Sequence, residues 1–192
     1  MAQLRADENG SASDGLAWFG SACRPAAGAG AASVGWPGGA ASPFLSGHMA
    51  PVYQFEVKVP DAAVDENRHV NNVAYVQWMQ EAAIGHSEAA GCTRLTRAAG
   101  ATWVARAHRI EYLRPGFAGD VLTVQTWIAN FRKVRSLRRY KFLRAADQTV
   151  LAQGETDWVF VDALTGRPRA IPGEIQRAFQ VVPEEQGGAQ RA

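Results

Sequence analysis

The chain of 192 residues lacks the features that mark several classes of protein. Its two cysteines, Cys23 and Cys92, cannot form a disulfide framework, which favours a reducing compartment. No apolar run approaches the ~18 residues that cross a bilayer, so we expect no membrane span. The first residues lack a basic segment followed by an apolar core, so we expect no secretory leader and predict a cytoplasmic protein.

Several motifs for catalysis and binding are also missing. The sequence contains no G-x-S-x-G elbow, no glycine-rich phosphate loop, and no cysteine and histidine cluster with zinc-ligand spacing. The formal net charge is only +2, so the overall charge does not indicate an anionic partner. We therefore expect no metal and no organic cofactor. We also expect no nucleic acid partner, because the basic run at residues 132–144 is confined to one hairpin and lacks an exposed aromatic platform.

The composition divides the chain into three parts. Residues 1–48 include 12 Ala, 9 Gly, 6 Ser and 3 Pro, too few large side chains to offset the entropy of ordering. We predict that residues 1–48 are disordered and that residues 49–183 form one domain. Residues 184–192 are predicted to be a flexible tail.

The sequence of residues 49–183 predicts five strands, one long helix and a short closing helix within residues 173–179. Alternation of apolar and polar residues predicts the strands, and a run of helix formers ending at Gly91 predicts a helix over residues 72–90. Apolar residues occupy most of its circumference, so we expect a helix largely surrounded by protein. Short connectors between the last four strands favour an antiparallel meander. The expected fold class is α+β, with one sheet packed around one long helix. The predicted strands are Val52–Val59, Thr102–Leu113, Asp120–Phe131, Ser136–Ala145 and Val150–Ala163.

The stretch VDENRHVNNVAYVQW, residues 64–78, concentrates polar chemistry at the start of that helix. Asn71 or Asn72 is a good N-cap, and by itself this predicts only a capped helix entry. A carboxylate beside a helix N-terminus, however, pairs a base or nucleophile with donors for developing negative charge, as acyl transfer requires. Asp65 supplies that carboxylate, and His69 and Asn67 add a titratable group and an amide. Both interpretations remain open from the residues alone.

The pattern D-x-N-x-H-V-N-N-x-x-Y followed by VQWMQEA resembles the active-site signature of hot-dog-fold thioesterases. These form the 4-hydroxybenzoyl-CoA thioesterase superfamily, and the HVNN motif resembles its bacterial long-chain acyl-CoA and plant acyl-ACP thioesterases in particular. The segments IEYLRPGFAGDVLTVQTWI and DWVFVDALTGRPRAIP continue the resemblance, which covers residues 52–179. It implies a hot-dog fold that assembles as a dimer or a dimer of dimers, with a site shared between subunits.

The resemblance also implies roles for individual residues. Asp65 would be the nucleophile or the general base, and His69 and Asn67 would orient substrate or water. Backbone N–H groups near Asn71 and Asn72 would polarise the thioester carbonyl. Val70 and Tyr75 are further predicted substrate contacts, and Glu81 on the helix is a supporting candidate.

A basic run, RKVRSLRRYKFLR at residues 132–144, has two interpretations. It is either an electropositive stripe for the coenzyme A phosphates or an acidic carrier protein, or a solvated outer face of the sheet. Strand alternation would place Arg138 and Arg139 on opposite faces. Both are kept here as predicted substrate-binding residues.

The leading hypothesis is an acyl-CoA thioesterase that acts on fatty acyl groups in lipid metabolism and forms a homodimer or homotetramer. An acyl-ACP thioesterase is an alternative substrate assignment. A non-catalytic acyl-thioester binder is an alternative from another class, and a hot-dog dehydratase would want a differently spaced Asp and His pair.

Overall fold

A computed structural model describes residues 50–183 of the chain. These residues form a five-stranded antiparallel sheet and three α-helices. The α+β prediction is confirmed, and each predicted strand agrees with an observed one to within one residue at either end. The predictions for residues 1–48 and 184–192 lie outside the described residues. The elements are β1 (Tyr53–Lys58), a 3₁₀ turn (Asp61–Ala63), α1 (Asn72–Ala89), α2 (Cys92–Ala98), β2 (Ala101–Tyr112), β3 (Val121–Phe131), β4 (Arg135–Arg144), β5 (Val150–Asp162) and α3 (Gly173–Arg177).

The sheet has the strand order β1-β3-β4-β5-β2. Strands β3, β4 and β5 form the predicted meander, but the prediction that β2 continues it is wrong. Residues 113–120 instead cross the end of the sheet from the β2 edge to β3. The N–H groups of Leu113 and Arg114 donate to Leu151 O at 2.8 and 3.0 Å, and Gly119 N donates to Val59 O at 2.9 Å. These bonds tie the crossover to the strand ends beneath it.

The core lies between α1 and one face of the sheet. Met79 and Ala82 of α1 are fully buried, because helix positions three and four apart point to the same side. They meet alternate residues of β3 and β4, whose side chains share one face at a period of two, and two consecutive residues of β5 where its pairing with β4 shifts register. The sheet residues of this cluster are Leu122, Val124, Tyr140, Phe142, Leu151 and Ala152.

The opposite side of α1 is open in the single chain. Val73 is 71% exposed and Ile84 is 48% exposed, so the prediction of a helix surrounded by protein is wrong for one chain alone. The apolar circumference read from the sequence therefore includes residues that this chain does not cover. Within residues 50–183, no helix is long and apolar enough to cross a membrane.

The end of α1 follows the prediction and adds a second helix. Ala90 is the C-cap, and Gly91 takes the left-handed conformation at φ 68°, which glycine adopts without strain. Gly91 is also the N-cap of α2, a seven-residue helix that was not predicted from the sequence.

Candidate active site

Asp65 lies in a tight loop that leads into α1. Val64 and Val70 form an antiparallel bridge at the base of the loop. Asp65 N donates to His69 O at 2.9 Å, and Arg68 N donates to Asp65 O at 2.9 Å. Arg68 has a positive φ of 62°, which lets the chain reverse within these few residues. The loop therefore has a defined shape of its own.

The carboxylate of Asp65 is held by this loop. Its Oδ1 atom accepts hydrogen bonds from Asn67 N at 2.9 Å and from His69 N at 3.2 Å. Asp65 is half-buried, whereas Asn67 and His69 are exposed. Asp65 therefore shapes the loop through Oδ1 and presents a carboxylate that is fixed relative to the entry of α1.

Asn71 is the N-cap of α1, which confirms one of the two predicted capping residues. Its Oδ1 accepts from Val73 N at 2.9 Å, and its own N–H donates to Ala63 O at 2.8 Å. Asn71 O accepts from Ala74 N at 2.9 Å. Within residues 50–183 the Asn72 N–H has no partner, as is usual for the first helical residue. Of the predicted backbone donors at Asn71 and Asn72, only Asn72 N–H is open.

The crossover between β2 and β3 supports the Asp65 loop. Val70 N donates to Gly116 O at 2.9 Å, and the Phe117 ring packs edge-on against His69 with centroids 5.5 Å apart. A Cβ at Gly116 would come within 3.0 Å of Val70 and 3.3 Å of the Tyr75 hydroxyl. Neither Gly116 nor Phe117 was predicted to belong to the site, although the Pro-Gly pair at residues 115–116 marks a close turn.

Two predicted substrate contacts belong to the core of the single chain. Tyr75 is 2% exposed and packs edge-on against Trp78, Tyr112 and Phe142. Burial, and secondarily the nearby Tyr112, raises the pKa of Tyr75 to about 12. Val70 is 5% exposed. Both side chains therefore position the loop and the helix from beneath rather than face solvent.

Glu81 is separated from the Asp65 loop within one chain. It lies nine residues after Asn72, about 13 Å along the axis of α1. Its side chain is exposed, and its Oε1 accepts from Gln77 Nε2 at 3.0 Å. Glu81 is therefore too far along α1 to support Asp65 of the same chain by direct contact.

The two predicted basic contacts lie on opposite faces of β4, as strand alternation requires. Arg139 lies 3.7 Å from the Glu155 carboxylate on the face away from α1. Arg138 is only 3% exposed and lies under α1, where its guanidinium contacts His86. The prediction of a surface stripe that includes Arg138 is therefore wrong, because this side chain does not reach the surface.

Comparisons with known proteins agree with the resemblance seen in the sequence. The Escherichia coli (strain K12) long-chain acyl-CoA thioesterase FadM is 23% identical over 127 residues, which are 66% of this chain and 96% of FadM. The crystal structure of YbaW, a probable thioesterase from Escherichia coli, has a TM-score of 0.61 at 23% identity and covers 65% of this chain and 94% of its own. The 12:0-ACP thioesterase from Umbellularia californica has a TM-score of 0.62 at 22% identity, over 73% of this chain and 56% of its own.

The sequence profile of the thioesterase-like superfamily matches residues 59–179. The match begins after β1 and before the Asp65 loop and ends after α3, so it spans α1, strands β2 to β5 and the candidate site. The structural relatives share the antiparallel sheet packed on a long helix, which confirms the predicted hot-dog fold. The chain belongs to the thioesterase-like superfamily.

Proposed function

We propose that this chain hydrolyses acyl-CoA thioesters, with fatty acyl groups as the preferred class, at the Asp65 loop. The observation that carries the proposal is the pairing of a fixed carboxylate with an open donor at one helix entry. Asp65 is held by Asn67 N and His69 N, and Asn72 N–H is unpartnered within the described residues. The name of the FadM relative supports acyl-CoA as the substrate class.

Asp65 would act in one of two ways, and both use the same helix entry. As a general base it takes a proton from water, the hydroxide adds to the thioester carbonyl, and the thiolate leaves and is protonated. As a nucleophile it attacks the carbonyl itself, the thiolate leaves, and water hydrolyses the resulting anhydride. In each case Asn72 N–H and the dipole of α1 stabilise the charged oxygen. We propose that His69 and Asn67, both exposed beside Asp65, orient the water or the substrate.

A carrier protein is the second candidate for the thiol part of the substrate. The acyl-ACP thioesterase among the structural relatives makes this the natural alternative. Arg139, on the face of β4 away from α1, remains a proposed contact for phosphate groups or for an acidic carrier. A non-catalytic acyl-thioester binder is the competing function, and it would not need the fixed carboxylate.

A homodimer or homotetramer is part of the proposal. Strand β2 is at an edge of the sheet, and its central residues 105–109 are exposed. A second copy would cover this edge and the open side of α1, where Val73 and Ile84 are exposed. Glu81 is also exposed on α1, and we propose that it contacts the second copy or its substrate.

Thiol release from a panel of acyl-CoAs of graded length tests the function directly. The full chain should turn over at least one aliphatic acyl-CoA repeatedly, and the same acyl groups on acyl carrier protein should be hydrolysed more slowly. Faster hydrolysis of the acyl-ACP substrates would favour the carrier protein as the natural partner. Measurable binding without any turnover would contradict the enzyme and support the binder.

Single-turnover hydrolysis in ¹⁸O-labelled water tests whether Asp65 acts as the nucleophile. If Asp65 attacks the substrate and water then attacks the aspartyl carbonyl of the anhydride, ¹⁸O remains in the Asp65 carboxylate. Mass analysis of the peptide that contains Asp65 therefore detects this nucleophilic route. A labelled peptide would establish attack by Asp65, whereas an unlabelled peptide fits either the general-base route or attack of water on the acyl carbonyl of the anhydride.

A further inference from the structure

A cavity of about 350 Å³ lies at the other end of α1 from the Asp65 loop. Its walls come from the C-terminal half of α1, from α2, and from the sheet beneath them. Most of the wall is apolar, including Ile84, Trp103, Ile128, Phe131 and Phe179. Its volume falls in the range of small-molecule sites in proteins.

The guanidinium of Arg138 is buried in the wall of this cavity without an acidic partner. Its Nη1 atom donates to His86 Nδ1 at 2.9 Å and to Thr126 Oγ1 at 3.3 Å, and the Phe179 ring lies 5.6 Å from its Cζ. No Asp or Glu among residues 50–183 forms an ion pair with it. Arg135, Arg139 and Arg144 of the same strand each lie within 4 Å of a carboxylate.

His86 does not balance the charge of Arg138. A guanidinium can only donate hydrogen bonds, so His86 Nδ1 must accept and the imidazole is neutral. Burial, followed by the charge of Arg138, lowers the pKa of His86 to about 3. The ring is held between Tyr53, stacked at 5.6 Å, and Phe179, edge-on at 4.9 Å. The pair therefore carries one uncompensated positive charge.

Buried charges in proteins are normally paired, because removing an ion from water is costly. Here the cavity provides space beside the guanidinium for an anion, and guanidinium geometry matches a carboxylate. We propose that the cavity binds an aliphatic monocarboxylate, with its carboxylate on Arg138 and its chain along the apolar wall. Glu88 and Arg97 are exposed at the rim of the cavity, and the Glu88 carboxylate makes no ion pair with Arg138.

This site is separate from the Asp65 loop within one chain. His86 follows Asn72 by fourteen residues, which corresponds to about 21 Å along α1. A thioester held at Asn72 N–H of the same chain would therefore lie far from Arg138. The proposed ligand is a free acid, the class of product that thioester hydrolysis releases, but its binding does not depend on the proposed function.

Calorimetric titration of the full chain with octanoate and with 1-octanol tests the proposal. Octanoate should bind with one site per chain and at least about 10-fold more tightly than 1-octanol, because only octanoate offers a carboxylate. Arg138→Gln should remove that difference. Lys141→Gln, which removes a positive charge from the other face of β4, should leave it unchanged. Equal affinity for the two ligands in the unmodified protein would overturn the proposal.

A second pair of variants leaves Arg138 in place, in case Arg138→Gln does not fold. Thr93→Glu and Thr93→Gln put side chains of similar size at a half-buried position of the cavity wall on α2, outside the surface proposed for the second copy. The carboxylate variant should bind octanoate at least about 5-fold more weakly than the amide variant, because like charges repel. Equal affinities would contradict binding of the anion here. These binding measurements use no thioester, so their outcome does not depend on whether the protein hydrolyses acyl-CoA.

Discussion

His86 and Arg138 form a buried contact in which only one partner carries charge. His86 is 2% exposed and Arg138 is 3% exposed, and the Nδ1 acceptor must stay unprotonated for the hydrogen bond to persist. Protonation of His86 would place two positive charges side by side in the interior. The contact therefore makes the stability of the fold sensitive to acid.

We predict that the free energy of unfolding falls as the pH drops below about 6, because the buried His86 resists protonation. The folded pKa of about 3 lies below the usual value of 6.5, so between these values only the unfolded chain takes up the proton. The stabilisation is complete above pH 6.5 and is lost as the pH falls, by up to about 1.4 kcal/mol per pH unit. Urea unfolding at pH 7, 6, 5 and 4 measures this loss.

His86→Gln is the matched variant, because its amide oxygen can still accept from Arg138 but does not titrate. The difference in unfolding free energy between the unmodified protein and this variant should shrink steadily from pH 6 to pH 4. The carboxylates titrate in both proteins, so they cancel in the comparison. Two parallel curves would show that His86 is not the acid-sensitive group.

Individual polar residues were the hardest to place from the sequence. The N-cap was predictable, because an asparagine before a run of helix formers offers its oxygen to the first free N–H groups. Arg138 was not, because alternation identifies its face but not whether that face is covered. The contact with His86 joins residues fifty-two positions apart, and local sequence patterns cannot predict such a pair.

At the scale of elements, local patterns placed the strands but not every connection. Alternation and short connectors correctly paired β3 with β4 and β4 with β5. The same rule failed for β2, because residues 113–120 cross the sheet end instead of forming a hairpin. Helix α2 was missed because CTRLTRA has no polar N-cap and begins directly from Gly91. These outcomes depend on long-range packing rather than on local preference.

The crossover is the element that positions the Asp65 loop, and Gly116→Ala tests this role. The new Cβ would lie 3.0 Å from Val70 and 3.3 Å from Leu151, closer than normal packing allows. We expect a loss of about 1–3 kcal/mol in unfolding free energy from the overpacking. We also expect a fall in kcat/KM for acyl-CoA of at least about 10-fold, because small misplacement of a reacting group is costly.

Gly119→Ala in the same crossover serves as the control for Gly116→Ala. Gly119 has a positive φ of 85°, so alanine strains the backbone there, but nothing lies near its Cβ position. This variant should lose stability with a smaller change in kcat/KM. Equal losses of activity at equal losses of stability would mean that the contact with Val70 has no special role.

At the scale of the whole molecule, the single chain leaves a strand edge and an apolar helix surface uncovered. Strand β2 has β5 as its one partner within the described residues, and α1 exposes Val73 and Ile84. Unpaired strand edges and exposed apolar side chains favour association. The prediction that protein surrounds α1 is wrong for one chain. The apolar residues around its circumference are consistent with a helix that a second copy covers.

We predict a homo-oligomer whose mass is two or four times the 20.7 kDa of the chain. Light scattering coupled to size-exclusion chromatography measures this mass. Val73→Glu, which puts a charge on the open side of α1, should shift the mass towards the monomer, whereas Glu56→Gln on β1 should not. A monomeric mass for the unmodified protein at micromolar concentration would contradict the assembly.

The central claim is that the Asp65 carboxylate performs thioester hydrolysis, and one substitution tests it most directly. Asp65→Asn retains an Oδ1 atom that can accept from Asn67 N and His69 N, so the loop should keep its shape. Glu66→Gln removes a carboxylate from the exposed neighbouring position and serves as the control. We predict that Asp65→Asn lowers kcat for the best acyl-CoA by at least about 100-fold, with unchanged unfolding, while Glu66→Gln stays near the unmodified value. Turnover by Asp65→Asn at the unmodified rate would contradict the account.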